Sequence, residues 1–121
     1  MATGLVTEKT KIVFNSPKTI NLHGGLFNED ALIFKDLKSR QVALKHKNKG
    51  EILNVKFEGF PYLGIWAKPN APYVCIEPWI GIADAESTNQ QLKDKEGIMA
   101  LDSYKTFNAT YSITVNSGLL N

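Results

Sequence analysis

The feature that most limits the fold is a period of two in the apolar residues near the end of the sequence. Between residues 107 and 115 the apolar positions are Phe107, Ala109, Tyr111, Ile113 and Val115, and the residues between them are Asn, Thr or Ser. Because successive side chains of a β-strand point to opposite faces of the sheet, this segment is predicted to be a strand with one buried face and one wet face.

Further strands are predicted from apolar runs and looser alternation elsewhere. They cover residues 11–14, 31–34, 41–45, 53–58, 63–66 and 73–76. Clusters of Gly, Pro, Asn, Asp and Ser between them predict turns at residues 15–17, 23–25, 36–40, 48–50, 59–61 and 68–72. A polar stretch at residues 86–95 predicts a loop or a single helical turn. Short strands at this spacing are typical of an antiparallel β-sandwich, and without a linker or repeat we treat residues 1–121 as one unit.

The composition narrows the class of protein. Hydrophobic residues make up 43% and charged residues 21%, as in ordinary globular domains, and no apolar run approaches the ~20 residues of a spanning helix. The first residues do not resemble a secretory signal, and the single cysteine, Cys75, lies in an apolar run, which predicts a packed thiol in a reducing, cytoplasmic compartment. The net charge of +2 is small, and the lysines at residues 45–49 flank a turn, so they predict a solvated hairpin end rather than a nucleic-acid site.

Several familiar catalytic motifs are absent from the sequence. It has no Gly-rich nucleotide motif, no GxSxG and no HExxH. The two histidines, His23 and His46, belong to no Cys/His set with metal spacing, so no zinc site is expected. A Ser-His-Asp hydrolase stays open, although no motif points to one.

The segment with the most chemical content is residues 73–84, where an apolar strand ends in a carboxylate followed by Pro and Trp. Pro78 cannot donate a ladder hydrogen bond, so the strand is predicted to end or to reach a sheet edge there. Glu77 would then be partly desolvated, as general bases often are. A tryptophan such as Trp79 beside a carboxylate also suits a sugar site, because the ring covers the apolar face of a pyranose. From spacing alone, an ordinary strand-end Glu77 and core roles for Trp66 and Trp79 remain the commoner interpretation.

The block from Phe60 to Asp84 is similar to the C-terminal signature of LacX-like members of the aldose 1-epimerase (galactose mutarotase) family. It contains Phe-Pro-Tyr-Leu-Gly-Ile-Trp at residues 60–66 and Glu-Pro-Trp-Ile-Gly-Ile-Ala-Asp at residues 77–84. Weaker similarity extends to residues 26–35, to residues 95–98 and to the last strand. The resemblance spans roughly residues 20–115 and implies an all-β fold, an antiparallel β-sandwich that forms part of a galactose-mutarotase-like supersandwich.

The resemblance also implies an activity. Members of that family interconvert the α and β anomers of a free aldose without a metal or an organic cofactor, using a carboxylate base and a histidine acid. On this basis Glu77 would be the catalytic base and Asp30 would hydrogen-bond sugar hydroxyls, with Trp79 and Trp66 as possible ring platforms. The expected partner is a monosaccharide, and binding to nucleic acid or to a membrane is not expected.

The chain departs from the family pattern in its histidines. The acid histidine of longer members lies in a His-Pro motif of the N-terminal portion, whereas His23 and His46 lack that motif and are predicted to be exposed turn or strand residues. Residues 102–105 also lack the Pro-Gly-rich turn expected before the last strand. We therefore expect a C-terminal portion of an isomerase that is inactive alone, with exposed strand edges that favour self-association or pairing with the missing portion. A non-catalytic carbohydrate-binding module and a structural or interaction β-sandwich remain alternatives.

Overall fold

The computed structural model describes residues 4–10 and 18–119, and its regular structure is almost entirely β. The six strands are β1 (Leu32–Lys35), β2 (Gln41–His46), β3 (Gly50–Lys56), β4 (Tyr62–Trp66), β5 (Cys75–Trp79) and β6 (Ser112–Val115). Two single-turn 3₁₀ helices cover Leu92–Asp94 and Ser117–Leu119. The strand predicted at residues 11–14 and the turn at residues 15–17 lie outside the described residues. Within the described ranges, no helix is long and apolar enough to cross a membrane.

The strands form two three-stranded antiparallel sheets. Sheet 1 has the order β1-β4-β5, and sheet 2 has the order β2-β3-β6. The two-sheet, all-β architecture confirms the predicted fold class, and the strands expected at residues 31–34, 41–45, 53–58 and 63–66 are confirmed at slightly different bounds.

Strand β5 differs most from its predicted bounds. The predicted strand at residues 73–76 instead begins at Cys75 and continues through Pro78 to Trp79. Because β5 is the outer strand of sheet 1, it tolerates a residue that lacks an N–H group. The prediction that the chain reaches a sheet edge at Pro78 is confirmed, and Glu77 lies inside the strand rather than at its end.

The hydrophobic core lies against one face of sheet 1. Its most deeply buried side chains are Phe57 and Leu63, which are 1% and 2% exposed. The buried cluster consists of Leu26, Phe27, Leu32, Phe57, Phe60, Leu63, Ile65 and Ala67. The guanidinium of Arg40 lies 5.1 Å from the ring centroid of Phe57 and donates to the Phe60 carbonyl at 2.9 Å, so it ties two loops to this core. The residues on the opposite face of sheet 1 lie outside this buried cluster.

The last strand contradicts its prediction in length and in burial. Only Ser112–Val115 pairs with β3, and residues 107–111 form no strand. Ile113 and Val115 stand opposite Val55 and Leu53, so they do share an apolar face, yet they are 56% and 45% exposed. The predicted buried face is therefore wrong, because β6 lies beyond the core and no described residue covers it.

This exposed strip leads to a prediction about association. At rising concentration the chain alone is expected to self-associate, because Tyr111, Ile113 and Val115 place apolar surface beside the outer edge of β6. Light scattering should show an average mass that grows with concentration, and the Ile113→Lys variant should show less growth. A uniform monomer at high concentration would contradict this expectation.

Candidate functional site

The face of sheet 1 that points away from the core carries the predicted catalytic residue. The opposed pairs of β4 and β5 on this face are Tyr62 with Trp79, Gly64 with Glu77, and Trp66 with Cys75. Strand β1 adds Ile33 opposite Gly64 and Lys35 opposite Tyr62. Because the alternate positions Leu63 and Ile65 enter the core, residues of this second set meet on one surface, which we name the Glu77 face.

The Glu77 carboxylate is held on one side. The indole Nε1–H of Trp79 donates to Oε2 of Glu77 at 3.1 Å in a half-buried setting. This contact fixes the orientation of the Glu77 side chain relative to the indole. Among the described residues, Oε1 has no hydrogen-bond partner, which leaves one oxygen for a ligand.

The indole of Trp79 lies across the neighbouring strand. An ideal Cβ added to Gly64 would stand 2.5 Å from Cζ2 and 2.8 Å from Cε2 of this ring. Gly64 is nevertheless buried, because the ring covers the place where its side chain would be. The prediction that Trp79 lies beside the carboxylate is therefore met geometrically, although its ring packs on the backbone of β4.

A loop forms the border of the Glu77 face next to Trp79. Lys35 Nζ lies 2.8 Å from Glu96 Oε1, and Lys95 Nζ lies 3.0 Å from Asp84 Oδ1. Gly97, the residue after Glu96, adopts a φ of +76°, and a Cβ there would stand 2.9 Å from the Tyr62 hydroxyl oxygen. The sequence showed only weak family similarity at residues 95–98, and it did not predict the ion pair between Lys35 and Glu96.

A cleft of about 570 Å³ lies beside this loop and shares Tyr62 with the Glu77 face. Glu77 does not line it. Two charged residues, Arg40 and Glu58, line it. Arg40 already donates to the carbonyls of Leu37, Ser39 and Phe60. We therefore place the candidate site on the Glu77 face rather than in this cleft.

Asp30 occupies a turn immediately before β1. It is exposed, has a φ of +103°, and its Oδ1 accepts the Ala31 N–H at 2.8 Å. It lies two residues before the start of β1, and β4 lies between β1 and the strand that carries Glu77. The structure does not bring Asp30 and Glu77 into contact, and the role of Asp30 stays a prediction.

Trp66 has a mixed environment. It is half-buried, packs against the hydrophobic core cluster, and makes an edge contact with Tyr73 at a centroid distance of 6.4 Å. Trp66 stands opposite Cys75 and lies two residues after Gly64 on β4. Cys75 itself is half-buried and free.

Each histidine lies next to a turn: His23 precedes the turn at residues 24–29, and His46 is the last residue of β2. Nδ1 of His23 accepts the Gly25 N–H at 3.3 Å, and Nδ1 of His46 accepts the Asn48 N–H at 3.1 Å. Both side chains are exposed, which confirms the predicted positions. The described part of the chain brings neither histidine into contact with Glu77, and it contains no group of three or more His, Cys, Asp or Glu side chains that could hold a metal.

Comparison with known proteins agrees with this architecture. No protein-family model matches the sequence. The plasmid and chromosomal LacX proteins of Lactococcus lactis subsp. lactis are each 32% identical over 115 residues, which cover 93% of this chain and 38% of each relative. The X-ray structure of the galactose mutarotase related enzyme from Lactobacillus acidophilus matches with a TM-score of 0.72 and 39% identity, over 80% of this chain and 33% of that one.

These matches support an aldose 1-epimerase-like family for the chain. The resemblance seen in residues 60–84 is confirmed, as is a fold of the galactose-mutarotase type. The chain spans 38% of the length of the curated relatives it matches. In this chain, the Glu-Pro-Trp segment at residues 77–79 is the part of strand β5 that builds the Glu77 face.

Proposed function

We propose that the chain supplies the base side of an aldose 1-epimerase site, with Glu77 as the general base. The observation that carries the proposal is the half-buried Glu77 carboxylate, whose Oε2 is held by Trp79 while Oε1 has no partner among the described residues. A base needs this combination, because a fixed carboxylate with one accessible oxygen can take a proton from a bound hydroxyl. The family relationship supplies the substrate class, a free monosaccharide.

The proposed reaction begins when Oε1 of Glu77 takes the proton of the anomeric hydroxyl. The C1–O5 bond then breaks, a carbonyl forms at C1, and the ring oxygen takes a proton from an acid. After rotation about C1–C2 the ring closes on the other face of the carbonyl, and both protons return. The acid is expected from outside the described residues, since neither His23 nor His46 contacts Glu77. This chain alone is therefore expected to lack activity.

The remaining sugar contacts are proposed on the same surface. Asp30 would hydrogen-bond hydroxyls from the turn before β1, and Trp66 or Trp79 would cover the apolar side of the ring. The sugar itself stays open among glucose, galactose and phosphorylated or modified aldoses. The free thiol of Cys75 accords with action in the reducing cytoplasm.

One observation favours a second function, a non-catalytic carbohydrate-binding module. A carboxylate and an aromatic ring on one sheet face can bind a monosaccharide without an acid partner, and no described histidine contacts Glu77. Such a module would bind the sugar and leave its anomers unexchanged. A purely structural domain would do neither.

Two measurements separate these functions. Freshly dissolved α-D-glucose or α-D-galactose is followed by optical rotation with and without the chain, and tryptophan fluorescence is recorded as each sugar is added. Exchange above the spontaneous rate would mean that base and acid are both present. A fluorescence response with background exchange would support sugar binding without a complete catalytic site. The absence of any fluorescence response would contradict a sugar site.

A further inference from the structure

The contact between Trp79 and Gly64 is closer than any side chain at position 64 would permit. A Cβ there would lie 2.5 Å from Cζ2 and 2.8 Å from both Cε2 and Cη2 of the indole. These distances are shorter than carbon atoms can approach, and the three atoms belong to one side of the six-membered ring. The indole therefore lies over the strand β4 backbone only because residue 64 has no side chain.

The same placement directs the indole N–H. Residues 77 and 79 lie two apart on β5, so their side chains leave the strand on the same face about 7 Å apart. With its six-membered ring over Gly64, Trp79 presents Nε1 to Glu77 and holds Oε2 at 3.1 Å. A ring displaced from Gly64 would carry its N–H away from the carboxylate.

We propose that Gly64 and Trp79 act together as a positioning unit for Glu77, fixing Oε2 and leaving Oε1 as the oxygen that meets the substrate. The identification of Glu77 as a base rests on the proposed function, whereas the coupling of the three residues is a property of this chain. Trp79 is then a positioning residue, and Trp66 is left as the ring platform.

The two tryptophans of the sequence provide a direct readout. A ¹H–¹⁵N spectrum of the chain shows one indole signal for each, and the Trp66→Phe variant assigns them. Glu77→Ala removes the acceptor, so the Trp79 indole proton is expected to move upfield while the Trp66 signal keeps its place. Glu77→Gln leaves a neutral acceptor and is expected to move the Trp79 signal part of the way.

Substitution of the glycine tests the other half of the unit. Gly64→Ala is expected to move the Trp79 indole signal in the same direction as Glu77→Ala, because the new methyl group displaces the ring. The matched control is Gly81→Ala, where the added Cβ would meet only the Gly97 carbonyl oxygen at 3.8 Å, an ordinary contact. A Trp79 signal that stays unchanged in Glu77→Ala would overturn the proposal. A Trp79 signal that stays unchanged in a folded Gly64→Ala variant would overturn the role of Gly64. Should Gly64→Ala fail to fold while Gly81→Ala folds, the Glu77 variants still decide the contact between Trp79 and Glu77.

A sugar titration separates this proposal from the proposed function. α-D-Galactose is added to the chain and to Trp79→Phe, which keeps an aromatic ring but has no N–H donor, and the shifts of backbone signals near Glu77 are followed. We expect about tenfold weaker binding in Trp79→Phe, since a hydrogen bond to a charged group is lost. If the sugar shifts nothing, the sugar site is wrong while the Glu77→Ala result still decides the coupling. If the sugar binds equally to both proteins, the positioning role is wrong and the sugar site stands.

Discussion

Replacing Glu77 by Gln is expected to remove anomer exchange almost completely. The test uses a preparation that exchanges anomers above the spontaneous rate in water, either the chain alone or the chain combined with the remaining part of a family fold. In that preparation the exchange rate should fall by ~10²–10⁴-fold. The amide has nearly the shape of the carboxylate and can still accept the Trp79 N–H, so the fold should persist. What disappears is the ability to take a proton from the anomeric hydroxyl.

Optical rotation of freshly dissolved α-D-galactose measures this effect. The matched control is Glu86→Gln. Glu86 is exposed, and its backbone N–H, not its side chain, donates to the Val6 carbonyl. That variant should exchange anomers at the unmodified rate. Full activity in Glu77→Gln would show that another group is the base and would remove the main support for the proposed mechanism.

The largest expected effect on stability comes from Phe57→Ala. Phe57 is 1% exposed and belongs to the buried cluster under sheet 1, so truncation removes apolar burial and leaves a cavity. Such changes cost about 3–5 kcal/mol in the free energy of unfolding, against a total of ~5–15 kcal/mol for a typical domain. The Arg40 guanidinium would also lose the ring it covers at 5.1 Å.

Urea unfolding provides the measurement, with a lower midpoint and an unchanged slope as the expected result. Phe107→Ala is the matched control, because Phe107 is 49% exposed and the same change should cost far less there. Equal losses in the two variants would mean that Phe57 does not lie in the main core. Separate spectroscopic probes should agree on the midpoint, since the comparison assumes two-state unfolding.

Period-two alternation predicted the faces of the strands but not what covers them. For Glu77 this was enough, because residues 75, 77 and 79 share a face wherever the strand sits. For Ile113 the alternation correctly gave an apolar face shared with Val55, yet burial needs a second layer that no local pattern encodes. The same limit explains why the exposed strip on β6 was predicted to be buried.

Long-range contacts of the site were beyond sequence reasoning. Gly64 meets Trp79 because the register of β4 and β5 places it beside Glu77, and register follows from pairing rather than from either segment alone. Lys35 and Glu96 form an ion pair across 61 residues of sequence. The exposed positions of His23 and His46 could be predicted, since each stands beside turn-forming residues.

Pro78 makes the β5 edge of sheet 1 less able to pair with a further strand than the β6 edge of sheet 2. A strand that contains proline is a poor template for another strand, and Pro78 lies in β5, the outer strand beside Glu77. Strand β6, the outer strand of sheet 2, contains only Ser, Ile, Thr and Val, all compatible with further pairing. Addition of a strand at the β5 edge is therefore disfavoured, so this border of the Glu77 face stays open to small molecules, whereas β6 can accept a further strand.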